Sequence, residues 1–398
     1  MKKLLILSLL FVCLASQVFS RAYTISDAGN FAGMNITSGD TVTIIGSYTS
    51  ASSFPMPQHK RLFKITGDWH FTYTGTGKAC NFSHLDDFTI EGGEIIAATA
   101  SSGFELWYST NATISLKIRD SKWGMRFFYD TNLVVTNSLV MHTWDDNMYA
   151  ETNKNIEVCY SIFDAANYGY WSQDSTGGDG IQIAGDQGFC KIHHNQFYKF
   201  ENGWKFGLIM GQSVQDLNDS AIVYNNVFNI RTWQMTATES STNPLHWVQA
   251  SSCVYLKPNK SYRFWNNYYY GGANAIFTMT TSTNNRIRLF NETFINQKEC
   301  IGVGSKWNTR IYNCTFVKGS DTYIKYYGDL VYVTKCIFYG LANPFAGLNG
   351  NYISVDNLIN PGSVPAGYGA NYEYSPVTVQ VTDTVYTIDT VPVYYILY

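Results

Sequence analysis

A chain of 398 residues with a formal net charge of −3 and 14% charged residues holds no basic run of the kind that binds nucleic acid. It is long enough for a large core in one elongated domain or two compact ones. Aromatic residues make up 16%, with 30 Tyr and 10 Trp, and such rings either fill a core or stack on the apolar faces of sugars. The cysteines lack the close spacing of zinc ligands, so no zinc site is expected.

Lys2 and Lys3 precede an apolar run from Leu4 to Leu14, and Val18-Phe19-Ser20 follows. That is the layout of a secretory signal peptide, residues 1–20, with cleavage near Ser20. The run is too short to span a membrane. The bulky Val12 before Cys13 argues against a lipid anchor. The expectation is a soluble monomer, secreted to the extracellular space or periplasm, with neither membrane nor nucleic acid as a partner.

Residues 21–371 are expected to form one domain, opened by the strand Gly39–Tyr48. Weak copies of a pattern of alternating apolar residues follow at 88–96, 114–123 and 133–140. Strong copies run from Ile156 to Phe338, each with two apolar positions, a polar pair and an aromatic. The closing aromatics are Phe163, Phe197, Phe228, Tyr269, Phe294, Phe316 and Phe338, and the last two steps are 22 residues each. Short alternating strands at that period fit the coils of a parallel β-helix, about ten in all over Gly39–Pro361. In such a fold each coil buries its apolar residues only against its neighbours. Asn225, Asn266, Asn291 and Asn313, each three residues before the aromatic, mark a tight bend. Cys314 and Cys336 fall at the same point of successive coils, about 4.8 Å apart. A disulfide and a stacked pair of free thiols are both compatible with that spacing. Residues 372–398, rich in Tyr and Val, are expected as a tail or cap.

Regular coils need no function, so the long insertions between Phe163 and Tyr269 mark the expected site. They carry Trp171, Trp204, Trp233 and Trp247 as candidates for stacking on sugar, together with Asp174, Asp179, Asp186, Lys205 and His246. His193 and His194 tempt as a catalytic pair, but the structural reading of both is preferred.

The order Asp179-Gly180-Ile181-Gln182-Ile183, Cys190 to Phe197, Lys205 to Gly211 and Tyr262 to Tyr269 resembles the pectate lyase superfamily over residues 133–300. The resemblance implies a right-handed parallel β-helix, pectin-lyase-like. It implies calcium held by acidic residues, here Asp145, Asp146 and Asp179, against the carboxylates of an extracellular polysaccharide. It also implies a basic residue that removes the proton beside the uronate carboxylate. Lys257, in Leu256-Lys257-Pro258-Asn259-Lys260-Ser261, takes the place of the family's Arg-x-Pro-x-x-Arg segment. Lys205 matches the substrate-binding Lys, and Arg231 is a further candidate to grip carboxylates. Gln182 stands where the family often has a second Asp. The expected activity is that of a polysaccharide lyase acting by β-elimination. The alternatives are a glycoside hydrolase on the same fold and a non-catalytic glycan-binding or adhesive β-helix. Asp145 and Asp179, each eleven residues before the next strand, are expected to stack.

Overall fold

The computed structural model describes residues 22–25, 38–54, 59–164, 178–185, 188–198, 206–211, 220–229, 252–256, 261–271, 274–278, 285–295, 297, 299–305, 307–317, 322–326, 330–340, 344–345, 348, 352–363, 368–369, 378–381 and 384–387. They form a right-handed parallel β-helix. Ten coils each place one strand in a ten-stranded sheet, from Lys78–Ser83 at one end to Thr322–Tyr326 at the other. The remaining strands of the coils form a sheet of 25, and every pairing within these two sheets is parallel. No α-helix occurs among the described residues.

Each coil turns from one strand to the next through a residue with positive φ. Asn225, Asn266, Asn291 and Asn313 take this place with φ of 54°, 56°, 58° and 55°, the left-handed conformation that Asn tolerates better than most side chains. The residue after each bend points inward and builds a second ladder. The Ser161 backbone N–H donates to Asn195 Oδ1 at 3.0 Å, Asn195 N–H to Asn226 Oδ1 at 3.0 Å, and Asn226 N–H to Asn267 Oδ1 at 2.9 Å. Glu292, Cys314 and Cys336 continue the same position. The two cysteines are free thiols, with Cys336 Sγ accepting the Cys314 N–H at 3.4 Å. The ladder thus supplies partners for backbone N–H groups that the bend turns away from the sheets.

All seven closing aromatics stack through the core. Phe228 to Tyr269 is 5.1 Å, Tyr269 to Phe294 5.0 Å, and both Phe294 to Phe316 and Phe316 to Phe338 are 4.7 Å. Like side chains meet because parallel, in-register coils place residue on residue.

The N-terminal end reaches further than the strand expected to open the domain. The helix begins before Gly39, because Ala22–Ile25 pairs in parallel with Thr41–Ile44. In the tail, Thr378–Val381 and Thr384–Thr387 pair antiparallel.

Candidate functional site

On a parallel β-helix, alternate residues of each strand face out, and in-register pairing turns them into rows. Along the ten-stranded sheet one such row runs Glu105, Arg126, Tyr149 and Gln182, and the neighbouring row runs Trp107, Phe128 and Glu151. Three successive coils therefore bring an acid, a guanidinium, a phenol and large rings onto one patch.

Glu105 anchors it. Its carboxylate is buried, yet it accepts hydrogen bonds from Ser102 Oγ at 2.8 Å, Arg126 Nη1 at 2.9 Å and Trp107 Nε1 at 3.1 Å, and it pairs with Lys78 Nζ at 2.5 Å. Burial pushes the carboxyl up. The contacts with Lys78 and Ser102, the charge of Arg126 and the contact with Trp107 outweigh that push, so Glu105 is held below the usual carboxylate range. The Arg126 guanidinium lies 4.0 Å from the Trp123 ring centre, 4.7 Å from Phe128 and 5.9 Å from Tyr149. Fixed by one carboxylate and three rings, it cannot swing freely. Trp107 stacks on Phe128 at 4.0 Å. Tyr149 donates its hydroxyl to Glu151 Oε2 at 3.0 Å. Burial and then the Glu151 carboxylate raise its pKa well above that of an ordinary phenol, with Asp146 adding to the shift.

Asp146 and Asp179 lie at the edge of this patch, in the turns that feed Met148–Glu151 and Ile181–Ala184. Both are almost fully buried. Asp146 Oδ1 accepts the Asp179 backbone N–H at 2.8 Å, and the Asp179 carbonyl accepts the Asn147 N–H at 2.8 Å. The expected stacking of Asp145 on Asp179 is wrong by one residue. Met148 pairs with Ile181, an offset of 33, whereas Ile156 pairs with Cys190, an offset of 34. The extra residue falls between Ala184 and Cys190, so counting back from the later strand overshoots. Asp146 meets Asp179, and Asp145 meets Gly178, so tightly that a Cβ on Gly178 would lie 2.2 Å from the Asp145 carbonyl oxygen.

Among the described residues, the triplet of His, Cys, Asp or Glu ligand atoms within 4.8 Å of one another is Glu157, Cys159 and His193. The three aspartates do not converge in this way. His193 Nε2 sits 2.7 Å from Glu157 Oε1, which also takes Lys191 Nζ at 2.8 Å, and His193 Nδ1 sits 2.8 Å from His194 Nδ1. His193 stacks on Tyr224 at 4.7 Å, and His194 occupies the bend with φ 55°. Burial lowers both imidazoles; for His193 the Glu157 contact opposes it. Both histidines are tied into the scaffold.

Lys205, Lys257, Arg231, Trp171, Trp204, Trp233 and Trp247 lie outside the described residues, as do Asp174, Asp186 and His246. Glu105, Arg126 and Tyr149 were not among the residues singled out from sequence. The signal available for them was the alternation within Ser102–Trp107 and Trp123–Phe128, whose outward members are charged or aromatic.

A family model described as "Right handed beta helix region" matches residues 71–228. No curated protein matches the chain. Among solved structures, an alginate lyase from Paenibacillus sp. str. FPU-7 is 12% identical, covering 89% of this chain and 98% of that one, with a TM-score of 0.41. Pectate lyase Pel9A is 11% identical over 88% of this chain and 83% of its own, with a TM-score of 0.43. A double mutant of the tailspike protein of E. coli bacteriophage HK620, in complex with a pentasaccharide, is 7% identical over 85% and 70%, with a TM-score of 0.47.

Proposed function

We propose that this protein is a secreted polysaccharide lyase that lays an acidic glycan across the coils on the outer face of the ten-stranded sheet and cleaves it by β-elimination. The observation that carries the reading is Arg126, held by Glu105 at 2.9 Å and ringed by Trp123, Phe128 and Tyr149. A fixed cation among aromatic rings suits a sugar that is apolar on one face and carries a carboxylate. Elimination removes the proton beside that carboxylate, and negative charge builds on its oxygens. A guanidinium already in place stabilises that charge without reorganising.

Tyr149 carries a hydroxyl on the same patch, held by Glu151 at 3.0 Å, and its proposed role is to protonate the departing glycosidic oxygen. Lys257 remains the proposed base, Lys205 the proposed substrate-binding lysine, Arg231 a second grip on carboxylates, and Trp171, Trp204, Trp233 and Trp247 the proposed flanks of the groove. Asp145, Asp146 and Asp179 are the carboxylates that would hold calcium, but among the described residues they do not converge as a ligand set. One Asp146 oxygen is already engaged by the Asp179 N–H, and the roles of Arg126 and Tyr149 do not depend on the metal.

The test is digestion of pectin, alginate and glycosaminoglycans, followed by ultraviolet absorbance, with and without a chelator. Elimination leaves a conjugated double bond that absorbs. New reducing ends without absorbance would mean a hydrolase, and binding without either signal would mean an adhesive protein.

A further inference from the structure

The outer face of the 25-stranded sheet changes character along the helix. In the central coils its charges are matched, as in the Glu157–Lys191 pair. Towards the C-terminus the same outward row becomes Arg263, Arg288 and Arg310 on three successive coils. Arg286, two residues before Arg288 on the same strand, adds a fourth cation and is exposed, as are Arg263 and Arg310. Among the described residues none of the four pairs with a carboxylate. Arg288 Nη1 donates instead to the carbonyls of Ile287 at 3.0 Å and Asn308 at 2.9 Å, and Arg310 lies 5.3 Å from the Tyr332 ring centre.

Like charges on adjacent rungs of a sheet repel and destabilise it. Burial, then the charges of Arg310, Arg286 and Arg263, push Arg288 below its usual range. A chain of net charge −3 gains nothing for folding from gathering four cations in one place. Beside them runs an outward row of Tyr224, Trp265, Phe290 and Tyr312. Trp265 stacks on Tyr224 at 4.6 Å, and Tyr312 on Phe290 at 5.3 Å, with the last two rings exposed.

We propose that this arginine and aromatic face is a second glycan-binding site, separate from the candidate active site, which holds an acidic polysaccharide along the helix axis. Successive coils are about 4.8 Å apart, comparable to the length of one sugar ring, so each rung presents a guanidinium to successive carboxylate or sulfate groups. Guanidinium forks match both anions in two-point contacts. A neutral glycan would leave the cations unmatched. Single-stranded nucleic acid fits less well, because these rings stack in pairs on one another rather than standing apart as platforms for successive bases. The inference does not depend on the chain being an enzyme.

The test uses the full chain and a triple variant, Arg263→Gln, Arg286→Gln and Arg310→Gln, with circular dichroism as a check on folding. Polygalacturonate, alginate and heparin are the probes, with dextran and single-stranded DNA as comparisons, each titrated over a range of salt. The unaltered protein should bind at least one acidic polysaccharide with an affinity that falls as salt rises. The triple variant should bind it about tenfold more weakly or worse, the sum of three exposed ion pairs, with a shallower salt dependence. Arg310→Glu, a single exposed change, should shift binding the same way if the triple variant does not fold. Equal affinity of the variants and the unaltered protein would overturn the proposal. So would the absence of binding to any of the three polyanions, or tighter binding to DNA.

Discussion

The two charged faces of this β-helix are built on opposite plans. On the ten-stranded sheet, Glu105 is buried and meets Lys78, Arg126, Ser102 and Trp107, so that its cations are held still. On the C-terminal coils of the larger sheet, Arg263, Arg286 and Arg310 stand exposed with no acid between them. A matched, locked cation is prepared to stabilise charge at one point. An unmatched, exposed row attracts a polyanion at many points and holds each loosely. The same scaffold rule, residue stacked on residue, produces both. What differs is which charges follow one another.

The comparison breaks most sharply at Glu105. Glu105→Gln should destabilise the fold by about 3–5 kcal/mol, because Lys78 and Arg126 would keep their charges in a half-buried site without the carboxylate. A urea melt of the full chain measures this. A midpoint unchanged from the unaltered protein would show that the network does not hold the coils together.

Phe316→Ala tests the stacking that both faces rely on, since Phe316 is fully buried between Phe294 and Phe338. A loss of about 3–4 kcal/mol is expected in the same melt. A loss below 1 kcal/mol would mean that neighbouring coils collapse into the space.

A pH-dependent effect belongs to Glu292 in the inner ladder. Burial pushes its carboxyl up to about 8, so the folded chain keeps a proton that the unfolded chain releases near its ordinary pKa of about 4.3. The stability it contributes is full below that ordinary value. It falls as pH rises towards 8 by about 1.4 kcal/mol per unit at most, and then levels off. Glu292→Gln, which keeps the acceptor for the Asn267 N–H, should flatten stability over this window. A pH profile of thermal midpoints that is unchanged by the substitution would contradict the assignment.

The smallest effect closes the comparison. Arg310→Gln should alter stability by no more than about 0.5 kcal/mol and in the stabilising direction, because it relieves repulsion on an exposed rung.

The C-terminal coils were legible in the sequence because an aromatic closes each one at a short, regular step. The coils that carry Arg126 and Tyr149 were much less so. Register places Val140, Ile118 and Ile95 in the line that Phe163 begins, and aliphatic residues give no landmark against the alternating background. Asp145, Asp146 and Asp179 stand out as paired acids in adjacent coils, but a one-residue difference in loop length shifts which of them meet. The arginine row is hidden in the sequence because a low overall charge averages away a local cluster. Cations 22 to 25 residues apart do not form a run until coils stack them.

The central claim is that the Arg126 and Tyr149 patch is where an acidic glycan is cut. Its most direct test is the initial rate of ultraviolet-absorbing product from polyuronates, compared between Tyr149→Phe and the unaltered chain. Tyr149→Phe removes a single hydroxyl whose partner is Glu151, so the fold should persist. The rate should fall about a hundredfold, the usual worth of a positioned acid, with substrate affinity little changed. A Tyr149→Phe protein that cleaves polyuronates as fast as the unaltered chain would move the chemistry away from this face.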